Sequence, residues 1–175
     1  MSVRRQVVAD VLARPLDGLV VADDQVINSS TDVERWNLAR SELQALTRYG
    51  LPVIEECDII PNIQQGILPE LDAQGRNFYL LGLFADHEIG VLAGEGEVWG
   101  IPLDRTLPDS FINSSVARFV ETSWRWYWVW KEVKALRYDI EQYDLLEDFL
   151  DFAVRTDARV DSVEPSLWKG LIQSW

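Results

Sequence analysis

The sequence predicts an α+β chain in which an antiparallel β-meander lies between helical segments. Three observations predict it. First, Phe78-Tyr79-Leu80-Leu81-Gly82-Leu83-Phe84 is a continuous apolar run of strand length, as expected of a central strand. Second, two further strand-length runs, 88–92 and 97–103, follow after the short joints Asp86-His87 and Gly94-Glu95-Gly96, the pattern of a meander. Third, Val116, Phe119 and Val120 run at helical spacing from Asn113-Ser114-Ser115, whose short polar side chains can accept hydrogen bonds from the free N–H groups opening a helix.

Taken in order, residues 3–14 place Val3, Val7, Val8 and Val11 at helical spacing, and Pro15 ends the segment. Leu19-Val20-Val21 reads as a short strand or an irregular crossing. Thr31-Asp32-Val33-Glu34 reads as a capping box for a second helix, in which Trp36, Ala39, Leu43 and Leu46 form one buried stripe and Gly50 is the stop. Residues 53–67 look irregular and extended, with acids at Glu55, Glu56 and Asp58, and 68–77 look like a turn-rich connection. Pro102 and Pro108 close the meander. A helix over 139–153 would turn Ile140, Tyr143, Leu146, Leu150 and Ala153 inward. Glu141, Asp144, Asp148 and Asp151 repeat at the same steps on a neighbouring face as an acidic stripe. A short closing helix begins near Pro165, with Leu167, Trp168, Leu171 and Ile172 apolar.

Four of the eight tryptophans, Trp124, Trp126, Trp128 and Trp130, stand at every second position beside Tyr127. Alternation suits a strand with one apolar face. A helix instead sets Trp124 over Trp128 and Trp126 over Trp130. The helical spacing upstream, and the absence of Gly or Pro through Val133, favour one long helix that is apolar on most of its circumference.

At 175 residues the chain has the length of one domain, and 47% hydrophobic with 26% charged residues is ordinary for a globular protein. No apolar run approaches the roughly 20 residues that span a bilayer. The opening residues, interrupted by Arg4, Arg5, Gln6 and Asp10, lack the core of a signal peptide. A single cysteine, Cys57, suits a reducing cytoplasm. The net charge of −13 argues against nucleic acid or anionic membrane as a direct partner and suits a basic one, although acidity also secures solubility. Residues 139–164 hold nine acids and two arginines.

Reaction chemistry is sparse. His87 and Cys57 are each the sole residue of their type, lie thirty residues apart and are too few for a metal site. No Gly-x-Ser-x-Gly elbow is present, and Gly94-x-Gly96 with Gly100 lacks the spacing of a dinucleotide-binding loop. Carboxylate pairs could in principle serve hydrolysis, a weak signal among 29 acids.

Four short motifs point further. They are Arg48-Tyr49-Gly50-Leu51-Pro52; Ile89-Gly90 followed by Gly96-Glu97-Val98; Phe111-Ile112-Asn113-Ser114-Ser115 with Phe119; and Glu164-Pro165 leading to Trp168. In this order, over residues 40–175, the chain resembles the SUKH superfamily, most closely its fourth subgroup of bacterial immunity proteins. The resemblance implies an α+β fold, an antiparallel β-sheet flanked by helices, in a single SUKH-like domain with residues 1–30 as an N-terminal extension and 31–175 as the core. It implies no catalysis and no cofactor, and a cognate toxin domain as partner, often a nuclease or nucleic-acid deaminase. No family binding residue is carried over; the acidic stripe and cluster supply the candidate contact residues, Glu141, Asp144, Asp148 and Asp151, with Glu55, Glu56 and Asp58. The alternatives are an adaptor of the same fold without a toxin partner, and a small carboxylate hydrolase.

Overall fold

A computed structural model describes residues 2–28, 31–54, 59–136 and 140–173. Among these, six strands form the main antiparallel sheet: β3 (Ile59–Pro61), β4 (Leu71–Ala73), β5 (Arg76–Phe84), β6 (His87–Leu92), β7 (Val98–Pro102) and β8 (Ser110–Asn113). The order is β3-β5-β6-β7-β8, with β4 also paired to β5. The expected meander is therefore β5, β6 and β7, and β5 is an interior strand. A two-stranded ribbon, β1 (Gln25–Val26) with β2 (Leu51–Pro52), stands apart.

The helix α3 (Val116–Val133) organises the core. Its first turn is capped from three directions. Ser115 Oγ accepts from Arg118 N at 3.2 Å, Glu42 Oε2 from Ala117 N at 2.9 Å, and Asp157 Oδ2 from Ser114 N at 2.5 Å. Asn113 is the last residue of β8, Ser115 is the N-cap, and the helix opens at Val116, directly after the polar run. Twelve of the 18 residues of α3 are buried, which is why it is apolar nearly all round. Trp126 and Trp130 lie one turn apart with ring centroids 5.7 Å from each other, as the helical reading requires. Trp124 Nε1 donates to the carbonyls of Tyr49 and Gly50 at 3.1 and 3.2 Å, and Trp128 Nε1 to that of Leu19 at 2.8 Å. Gly50 is obligatory: φ is +56° there, and a Cβ would lie 2.3 Å from the Val26 carbonyl oxygen.

Against α3 pack α1 (Val3–Ala13), α2 (Arg40–Arg48) and α4 (Ile140–Thr156), while the short α5 (Arg159–Ser162) and α6 (Leu167–Gln173) pack against α4 and β8. One buried cluster runs from Val8, Val11 and Leu19 through the inner sheet face to Phe149 and Trp168.

Several expectations are corrected. The capping box does not form: Val33–Arg35 is an isolated 3-10 turn and α2 begins at Arg40. Trp36 leaves the helix because its ring stacks on Tyr79 (4.5 Å, 4°) and its Nε1 reaches the Gly66 carbonyl at 2.9 Å. The stretch expected to be irregular contains β3, and the turn-rich connection contains β4, joined to β5 through Gln74 and Gly75, both at positive φ, as in a two-residue hairpin. In α1 the valines divide, Val8 and Val11 inward and Val3 and Val7 to solvent. In α4 the buried face is Gln142, Leu145, Leu146, Phe149, Phe152 and Ala153, whereas Ile140 and Tyr143 are 81% and 51% exposed. His87 is the first residue of β6 rather than part of a turn.

Candidate functional site

The acidic stripe of α4 lies along its seam with α1. Ser2 caps α1 by accepting from Arg5 N at 3.1 Å, and that turn aims Arg5 across the seam. The guanidinium grips Asp148 with two parallel bonds, Nε to Oδ2 at 2.7 Å and Nη2 to Oδ1 at 2.8 Å, while Nη1 donates to Asp144 Oδ2 at 3.1 Å. Ser2 Oγ also donates to Glu141 Oε1, and Arg4 pairs with Glu132 of α3 at 2.7 Å. The hydrogen bonds that Arg5 donates to Asp148, and then the charge of that carboxylate, hold the Arg5 pKa above the ordinary arginine value.

The stripe is thus not an unopposed run of acids, as the local sequence suggests. Arg5 is separated from its partners by about 140 positions (|i−j| = 139 and 143), and only the fold brings them together. All three side chains are partly exposed, so water and salt screen the pairing. Asp151 is exposed beyond the grip of Arg5 and borders a groove of about 640 Å³ between α1 and α4, opposite Ala9 and Ala13 and beside Arg155. Glu55, Glu56 and Asp58, with Cys57, lie outside the described residues. Ile54 and Ile59, which bracket them in the chain, exchange both backbone hydrogen bonds at 3.1 Å.

The other buried or paired polar groups serve the fold. Arg125, buried in α3, donates through Nη2 to the Arg14 carbonyl at 2.8 Å and lies over the Phe152 ring at 4.6 Å. It satisfies the carbonyl end of α1, and burial holds its pKa below the ordinary value. His87 Nδ1 sits 2.8 Å from Asp86 Oδ1, a carboxylate that is largely exposed. Asn113 Oδ1 accepts from Trp168 Nε1 at 3.1 Å. Among the described residues no three His, Cys, Asp or Glu side chains are grouped to hold a metal ion, and no helix is long and apolar enough to cross a membrane.

The described residues thus form an α+β scaffold with a charged seam between α1 and α4. Comparison with families of known proteins makes the class specific. The chain belongs to the SUKH-4 immunity protein family, which it matches over residues 11–169. The α+β arrangement of helices and antiparallel strands is consistent with that fold, and the family is generally non-catalytic. Comparison with curated proteins and with solved structures finds no match.

Proposed function

We propose that this protein neutralises a cognate toxin domain by binding it, and that the toxin is basic because it acts on nucleic acid, as a nuclease or a nucleic-acid deaminase. Membership of an immunity family supports the first statement, and the net charge of −13 supports the second. A surface that binds the phosphate backbone is cationic, and an acidic inhibitor can cover it in place of the nucleic acid. Neutralisation would take place in the cytoplasm, where such a toxin finds its substrate.

Within this reading Glu141, Asp144, Asp148 and Asp151, with Glu55, Glu56 and Asp58, act chiefly through the field they create. Exposed carboxylates raise the rate of encounter with a cationic partner more than they lengthen the life of the complex. Asp144 and Asp148 have a second task, holding Arg5 and with it α1.

The decisive experiment is expression of the adjacent open reading frame with and without this chain. A neighbour that is lethal alone and harmless in company carries the proposal. A neighbour that is harmless on its own favours an adaptor of the same fold. With the toxin in hand, changing the four α4 carboxylates to Asn or Gln should slow association about tenfold at low salt, and an unchanged rate would remove the stripe from the encounter.

A further inference from the structure

The helices cover one face of the main sheet, and strand register defines the other. Ile89 and Val91 of β6 point into the main core, so Glu88, Gly90 and Leu92 point away from it. Their cross-strand partners point the same way: Leu83 and Ile101 beside Glu88, Leu80 and Trp99 beside Gly90, and Phe78 beside Leu92. Ile60 of β3 stands opposite Leu83. A sheet with one solvated face ordinarily carries polar residues on it. Here, Glu88 apart, every side chain in these rows is apolar.

Part of this outward face is closed. Leu71, Ala73, Phe78, Leu92 and Ile101 form a second buried cluster to which no described helical residue belongs. Arg76 lies over the rings of Phe78 and Trp99 at 5.2 and 4.6 Å and is held there by Asp109 at 2.5 Å. The end nearest the β5–β6 turn is left open. Ile60 is 48% exposed, Leu83 38% and Leu103, whose N–H donates to the Asp86 carbonyl, 57%. Arg105, the cation beside them, is already paired with Glu88. The remaining charge at this rim is acidic, from Asp86 and from Asp104, whose bonds from the Thr106 hydroxyl and N–H hold its pKa below the ordinary value.

Extending the toxin-neutralising reading, we infer that the open end of the outward sheet face is the anchor for a cationic protein surface. An aliphatic or aromatic side chain of the partner seats on the cross-strand pair Ile60 and Leu83, with Leu103 across Glu88 on the same face, ringed by its own lysines or arginines. An apolar centre inside a rim of one sign is the form that affinity hot spots take. A second copy of this chain fits poorly, since each copy brings a net charge of −13.

The test uses the full chain and the toxin domain encoded by the adjacent reading frame, with affinity and amide hydrogen exchange as readouts. Leu83→Lys and Ile60→Lys should each weaken binding about 100-fold, mainly through faster dissociation. Leu83→Ala, which removes the apolar contact without adding charge, should weaken it about tenfold and guards against a folding defect in the lysine variants. Protection should rise across 59–60, 83–86 and 103–107. If both lysine variants bind within about threefold of the parent, or protection rises on α1 and α4 instead, the anchor is misplaced while the immunity reading stands. If the parent chain does not bind the neighbour at all, both readings fall. A parent dimer that Leu83→Lys dissolves would make the face a self-interface and overturn the inference.

Discussion

Trp168→Phe isolates the contact that closes the fold. The indole is 1% exposed, packed against Phe149 at 5.3 Å and Trp126 at 6.3 Å, and its Nε1 donates to Asn113 Oδ1. Asn113 is fully buried, and its Nδ2 has no hydrogen-bond partner among the described residues. A phenyl ring would leave the carbonyl oxygen unsatisfied as well, at about 1–3 kcal/mol. The smaller ring adds about 1 kcal/mol in lost burial and residual void. The sum is about 2–4 kcal/mol, which for a chain of this size lowers Tm by roughly 10 °C. Urea unfolding followed by far-UV circular dichroism measures it without relying on the altered tryptophan signal. In an Asn113→Ala background the same change should cost only about 1 kcal/mol, because no acceptor remains to be stranded. A coupling between the two sites below about 0.5 kcal/mol would refute the bond as the cause.

Three further outcomes follow from the same geometry. Gly90→Ala places a Cβ 2.7 Å from that of Phe78 on the outward face and should cost about 1–3 kcal/mol in urea unfolding. Gly170→Ala, at the centre of α6 with nothing within 4 Å of the new methyl, should instead raise stability by up to about 1 kcal/mol. Arg5→Gln should speed hydrogen exchange in α1 while leaving β5 unchanged, with the difference shrinking as salt is raised; a uniform change in both elements would mean that the seam is not a local fastening.

The parts of the fold that could be read from sequence carry their own pattern. The strands β5, β6 and β7 are apolar runs parted by short turn segments, and α3 has both its spacing and its serine cap. The strands β3 and β4 have three residues each, and hydrogen bonding to β5 makes them strands, with Gln74-Gly75 as the one local sign of a hairpin. The capping box was locally sound but lost to Trp36, which gains a stacked ring and a carbonyl partner by leaving the helix. In α4 two apolar arcs compete, one through Ile140 and Tyr143 and one through Phe149 and Phe152, and the positions of α1, α3 and α6 decide between them. The acidic stripe was legible as positions. Its environment was not, because the cation that answers it sits on the first helix.

The motifs by which the chain resembles its family are joints of the scaffold. The Tyr49 and Gly50 carbonyls receive Trp124, and Glu97 pairs with Arg159 and accepts from Trp99 Nε1. Gly90 leaves room for Phe78, Asn113 receives Trp168, and the Phe111 N–H donates to the Pro165 carbonyl at 2.8 Å. Ile60, Leu83, Leu103 and Asp151 take part in none of these joints, so their side chains can change without loosening the core. Recognition can therefore be altered on a fixed fold, and its two components should separate in kinetics. On the proposed reading, charge on α4 would govern how fast a cationic partner arrives, and the apolar end of the sheet how long it stays. Asp151→Asn should then alter the association rate and its salt dependence, and Leu83→Ala the dissociation rate. If both substitutions changed the same rate constant, steering and anchoring would be one surface, and the division drawn here between α4 and the sheet would fail.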